Sequence, residues 1–142
     1  MPGKKSYDFV LDCSLTMSWL FEDECTPASD EVLNKLKGSV AAVPTIWPLE
    51  VANVLLVSQK RNRISPSKAL SFVNALTALP IVIDQSTSER AMHSIFTLAE
   101  KLHITIYDAA YLELALREKI PLLSLDRALI KAAHASGLQT AL

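Results

Sequence analysis

Two short apolar runs in this sequence end on an aspartate: Phe9-Val10-Leu11-Asp12 and Leu122-Leu123-Ser124-Leu125-Asp126. Two more acids stand in the first turn of helical patterns, Glu50 after Trp47-Pro48-Leu49 and Asp108 shortly after Ile104 and Ile106. Carboxylates set among apolar neighbours need partners, and the lysines and arginines fall mostly on helix ends and polar faces. Two carboxylates about 4 Å apart repel by roughly 4 kcal/mol at an effective dielectric near 20. Three or four converging must take up protons or a divalent cation. Oxygen-only ligands select hard ions, Mg2+ or Mn2+, over zinc. A hard ion in an acidic pocket can generate a hydroxide nucleophile and neutralise a phosphodiester in its transition state.

Each acid also has an ordinary explanation. An aspartate at a helix start is usually an N-cap, which would account for Asp108 and Asp126. Glu50 would suit a solvated first turn, and Asp12 competes with Ser14 to cap one helix. Ile81-Val82-Ile83-Asp84 is a third apolar run ending in an acid, so spacing alone leaves Asp84 open as another member of the cluster.

The elements that would position these acids follow from periodicity and punctuation. Tyr7 to Leu11 reads as a buried strand, and Ser14 can cap a short helix through Phe21. Glu22, Asp23 and Glu24 form an acidic loop. Thr26-Pro27 starts a second helix that runs to about Lys37 before Gly38. Val40 to Val43 is a second strand, followed by a helix over Leu49 to Arg61 with Val51, Val54, Leu55 and Val57 on its apolar face. Ser65-Pro66 opens another helix, to about Leu79. Ile81 to Ile83 reads as a third strand, and Ser86 with Glu89 as the capping box of a helix to Leu102. Asp108 opens a helix from Ala109 to Lys119. Pro121 to Leu125 is a fourth strand, Asp126 starts the last helix, Gly137 ends it, and a short final strand falls near Gln139. Strands separated by helices of ten or more residues imply an α/β domain, a parallel sheet with helices on both faces. In such sheets sites form beyond the carboxyl ends of the strands.

Composition sets limits on function. The 142 residues are half hydrophobic and one-fifth charged, with three glycines, as expected of one packed domain and not a disordered chain. A net charge of −1 gives no overall attraction to nucleic acid, so such binding needs a local basic patch. Candidates are Lys60, Arg61 and Arg63 at one helix end, and Arg127 beside Asp126. The two cysteines, Cys13 and Cys25, signal neither a zinc site nor a disulfide framework and suit a reducing compartment. The segment beginning Met-Pro-Gly-Lys-Lys-Ser lacks a signal-peptide core and no run reaches spanning length, so a cytoplasmic protein with no membrane association is expected. His93, His103 and His134 have no ligand spacing.

Four blocks now carry a family resemblance: Val-Leu-Asp12-Cys-Ser14, Pro48-Leu-Glu50-Val-Ala-Asn53, Tyr107-Asp108-Ala-Ala-Tyr111-Leu-Glu-Leu-Ala and Leu-Leu-Ser124-Leu-Asp126. In order, they resemble the motifs of PIN-domain nucleases, most closely the VapC-type toxins of toxin–antitoxin pairs, over essentially the whole chain. The resemblance implies a PIN-like fold and an endoribonuclease using Mg2+ or Mn2+ held by Asp12, Glu50, Asp108 and Asp126. Asp12 and Asp108 would be the firmest ligands, while Glu50 and Asp126 would act through water. Ser14, Asn53 and Ser124 would orient the ligands; among the basic residues Arg127, by its place beside Asp126 and not by the resemblance, is the one expected to meet substrate. Asp84 is outside the family's quartet and becomes a turn residue. The resemblance further implies an RNA substrate, a small antitoxin over the active-site groove and a homodimer. Trp19, Leu20 and Phe21 could line that groove or simply pack in the core.

Two alternatives differ in class. A PIN-like fold could serve only as a non-catalytic binding module. Asp12-Cys-Ser-Leu-Thr16 also resembles the nucleophile loop of haloacid-dehalogenase phosphatases, but these want a second acid where this chain has Ser14.

Overall fold

The computed structural model describes residues 6–142. The charged start of the N-terminal segment read above therefore lies outside the described residues. A single parallel sheet organises the chain: β1 (Phe9–Leu11), β2 (Ala41–Pro44), β3 (Ile81–Asp84) and β4 (Leu122–Leu123) lie in the order β3-β2-β1-β4. Every pairing is parallel, with Val10 opposite both Ala42 and Leu122. Phe9, Val10 and Leu11 are buried without alternation, because helices cover both faces of a parallel sheet. Strand β3, at one edge, is only half-buried along its length.

Helices fill the crossovers. After β1 come α1 (Cys13–Ser18) and α2 (Pro27–Lys35), the latter fixed by Thr26 and Ser29 in a reciprocal capping box with Pro27 in the first turn. Between β2 and β3 lie α3 (Trp47–Lys60) and α4 (Pro66–Thr77), the second capped by Ser65. After β3, α5 (Thr87–Arg90), a π-helical turn over Ala91–Ile95 and α6 (Phe96–Leu102) succeed one another. Helix α7 (Ile106–Glu118) follows, then β4 and α8 (Arg127–Ala135).

Helix α7 is the central one. Residues 109–115 are all buried, and Ala109, Ala110 and Ala115 keep that stretch slim. Its N-terminus, carrying Asp108, is thereby anchored by packing. The sheet order has a functional consequence. The chain steps from β1 to β2 to β3 in one direction and then returns to place β4 on the other side of β1. This reversal opens a crevice at the carboxyl ends of β1 and β4, where Asp12 and Asp126 emerge.

Several local expectations are corrected. Asp12, not Ser14, caps α1, accepting the Leu15 N–H at 3.0 Å, and α1 stops at Ser18. Ser86 and Glu89 form no capping box: the Ser86 hydroxyl donates to Asp84 at 2.9 Å instead. The helix beyond it is interrupted by the π-turn. Helix α7 starts two residues before Asp108 and is capped by Thr105. Near Gln139 no strand forms; a single backbone bond, Leu122 N–H to Gln139 C=O at 3.0 Å, remains of it. Among the described residues no helix is long and apolar enough to cross a membrane.

Candidate active site

Asp12 follows directly on β1, and the pairing of Leu11 with Leu123 sets Ser124 beside it. The Asp12 side chain is almost wholly buried, with 4% of the residue exposed. It is also fully engaged. Ser124 Oγ donates to Oδ2 at 2.5 Å, Leu15 N–H donates to Oδ1, and Ser14 Oγ sits 2.8 and 2.9 Å from the two oxygens. Both serines are themselves held from β4's exit, since Leu125 N–H donates to Ser14 Oγ at 3.0 Å and Asp126 N–H to Ser124 Oγ at 2.9 Å. Two backbone amides thus reach Asp12 through two hydroxyls. Burial nevertheless dominates and pushes its carboxyl up to about 6, with the Asp126 charge adding to the rise and the three donors opposing it.

The other three acids approach from separate elements. Asp126 caps α8, its Oδ1 accepting the N–H groups of Ala128 and Leu129 at 2.9 and 3.2 Å. Asp108 is half-buried in the first turn of α7, and its carboxylate accepts no hydrogen bond among the described residues. Burial raises its pKa, and the charges of Asp126 and Glu50 raise it further. Glu50, in the first turn of α3, accepts the Tyr111 hydroxyl at 2.5 Å. Cys13 completes this wall: burial, then Glu50 and Asp12, push its thiol up to about 12, so it stays protonated. The first turn of α3 is tied to the same place by Trp47 Nε1–H, which donates to Thr16 Oγ1 at 3.0 Å, while Thr16 donates to the Asp12 carbonyl at 2.8 Å.

The charge of Asp126 acts on both Asp12 and Asp108, and that of Glu50 on Asp108; none of the four acids forms a salt bridge among the described residues. They are not collapsed into a cage: no group of three or more possible ligands stands within ligating reach of one point among the described residues. The donor set is carboxylate oxygen, the chemistry that suits a hard ion keeping several waters and taking one or two carboxylates directly.

Asp84 is separate. It ends β3 and binds Arg117 Nη2 at 2.8 Å, and Arg117 also meets buried Glu113 at 3.0 Å. Burial opposes ionisation of Asp84, but Arg117 and Ser86 outweigh it and hold the carboxyl below its ordinary value. The expected turn residue is thus part of an ion-pair network locking β3 to α7. Ser14 and Ser124 both hydrogen-bond the Asp12 carboxylate. Asn53 is exposed on α3 and makes no hydrogen bond to the acids. Arg127 is exposed beside Asp126. Arg63 binds Asp23 and Glu24 at 2.8 and 3.2 Å and lies 3.8 Å over the Phe21 ring, which gives it a structural occupation. Leu20 and Phe21 are buried, and Trp19 donates to the Ser29 carbonyl at 2.9 Å, so that trio packs in the core. An apolar groove of about 660 Å3 between α3, α4 and β3 contains none of the four acids.

Tyr111 is the site residue that the sequence reading overlooked. Its signal was its position three residues after Asp108, one turn along the same helix face.

Comparison with known proteins gives the family and the fold. The chain matches the PIN domain family over residues 9–135 and belongs to that family. Its structure resembles that of PAE2754 from Pyrobaculum aerophilum, with a TM-score of 0.69 and 18% identity over 93% of this chain and 83% of that one. It also resembles VapBC2 from Rickettsia felis, solved bound to a DNA fragment from their promoter, with a TM-score of 0.63 and 14% identity over 93% and 96% of the two chains. No individual curated protein matches the sequence.

Proposed function

We propose that this PIN domain is an Mg2+- or Mn2+-dependent endoribonuclease and the toxin of a toxin–antitoxin pair. The observation that carries this reading is the buried Asp12, held by two serines and coupled to the charge of Asp126, with Asp108 in turn coupled to Asp126 and Glu50. Asp12 and Asp108 are the groups that would hold the ion, with Glu50 and Asp126 orienting its water. When bound, a hard ion supplies charge neutralisation for a phosphodiester and a water of lowered pKa.

The chain's own residues do the rest. Ser14 and Ser124 hold Asp12 in one rotamer and favour its ionised form. Asp126 keeps its cap through Oδ1, which leaves Oδ2 for the crevice. Arg127, exposed next to it, suits a phosphate of the RNA backbone. A cognate antitoxin as protein partner is supported by the VapBC2 resemblance, and a homodimer is the assembly we expect.

The test is direct. Purified protein, free of any antitoxin, is incubated with structured and single-stranded RNAs in Mg2+, Mn2+ or chelator. Ion-dependent internal cleavage is expected. Absence of cleavage together with absence of ion binding by calorimetry would leave a non-catalytic binding module.

A further inference from the structure

Tyr111 is only 2% exposed, so its hydroxyl cannot turn to water and needs a protein partner. That partner is Glu50 Oε1 at 2.5 Å, across the gap between α7 and α3. The Glu50 side chain has no other hydrogen bond among the described residues, and α3 has no side-chain cap to stiffen its first turn. A glutamate with three rotatable bonds on such a turn would otherwise sample several rotamers. Tyr111 stands one turn beyond Asp108 on α7, so one helix carries an acid of the cluster and the donor that restrains another. The hydroxyl is a donor at neutral pH, because a phenol ordinarily ionises near pH 10 and burial beside Glu50 pushes that higher.

We propose that Tyr111 is a positioning residue: its hydroxyl holds Oε1 of Glu50 and so presents Oε2 to the reacting centre beside Asp108. The inference rests on reading the site as hydrolytic. It goes further by giving Glu50 its orientation and by making α7 the common ruler for two acids. A tyrosine placed there only to fill the core would owe nothing to Glu50.

Tyr111→Phe keeps the ring and removes the donor, so it separates the two roles. Single-turnover RNA cleavage is measured for the wild type, Tyr111→Phe, Glu50→Gln and the double variant, and side-chain NMR follows the Glu50 carboxyl in each protein that retains it. The expected result is roughly a tenfold loss of the maximal single-turnover rate in Tyr111→Phe with the half-saturating concentration unchanged, no further loss when it is added to Glu50→Gln, and rotamer averaging of Glu50 once the hydroxyl is gone. Equal losses in both backgrounds, no loss in either, or a Glu50 equally ordered without the hydroxyl would overturn the proposal. A wild type inert on RNA whose Glu50 is still released by Tyr111→Phe would remove the nuclease reading and leave the positioning role standing.

Discussion

Ser124 Oγ donates to Asp12 Oδ2 at 2.5 Å, joining two residues 112 positions apart at the ends of adjacent parallel strands. The contact favours the ionised form of a carboxyl that burial pushes up to about 6. Ser124→Ala should therefore raise the Asp12 pKa further and shift the acid limb of the kcat/KM profile to higher pH. A loss of about 10- to 100-fold near neutrality is expected, as for other supports of metal-site ligands. An unmoved limb would show that Ser124 does not tune Asp12.

Asp12 also weighs on stability. An unfolded aspartate titrates near 3.9, and the folded one is raised to about 6. A raised carboxyl contributes stability fully below the unfolded value and loses that contribution as pH climbs through the folded one. In chelator, the wild type should thus weaken relative to Asp12→Asn between pH 4 and 6, by up to about 3 kcal/mol. At pH 7 Asp12→Asn should be the more stable protein by urea titration. Parallel stability curves for the two would contradict this.

Arg117 serves a buried acid, Glu113, and a half-buried one, Asp84. Arg117→Met should destabilise by roughly 1–3 kcal/mol, because Asp84 loses its cationic partner and Glu113 keeps only Arg90 at 3.4 Å. Arg63→Ala, at an exposed pair, should cost no more than about 1 kcal/mol from its ion pairs. Since the Asp84 pKa is lowered, its contribution is present above the unfolded carboxyl value and lost as pH falls through the folded one. The gap between wild type and Arg117→Met should accordingly narrow below about pH 4. Chemical denaturation across pH measures it.

Much of this arrangement was legible in the sequence, and the failures share a cause. The apolar runs before Asp12 and Asp126 gave strands because full burial in a parallel sheet needs no alternation. Asp84 follows an equally apolar run that spacing left open; the family resemblance set it outside the quartet, and the fold pairs it with Arg117, 33 residues later. Ser86 looked like a cap, but a neighbouring carboxylate competed for its hydroxyl. The final strand failed because one backbone bond to Gln139 is not a ladder. Tyr111 was written in a matched motif, yet its role appears only when α3 and α7 meet. Local chemistry predicted elements; partners distant in sequence decided between equivalent acids.

An ion bound by these acids should stabilise the fold. At a hundredfold excess over its Kd, Mn2+ should add about 2.7 kcal/mol, a rise of roughly 5–10 °C in Tm for a domain of this size. Asp108→Asn, which removes a half-buried carboxylate making no hydrogen bond of its own, should lose most of that rise. An undiminished shift in the variant would place the ion elsewhere.

The most direct test of the whole account is Mn2+-dependent cleavage of one RNA, compared across Asp12→Asn, Glu50→Gln, Asp108→Asn, Asp126→Asn and Asp84→Asn at matched folded concentration. The four crevice variants should each lose about a hundredfold or more in rate, while Asp84→Asn, which alters only an ion pair, retains the wild-type rate per folded molecule. Full activity in Asp12→Asn or Asp108→Asn, or a loss in Asp84→Asn equal to theirs, would contradict a hydrolytic site built from Asp12, Glu50, Asp108 and Asp126.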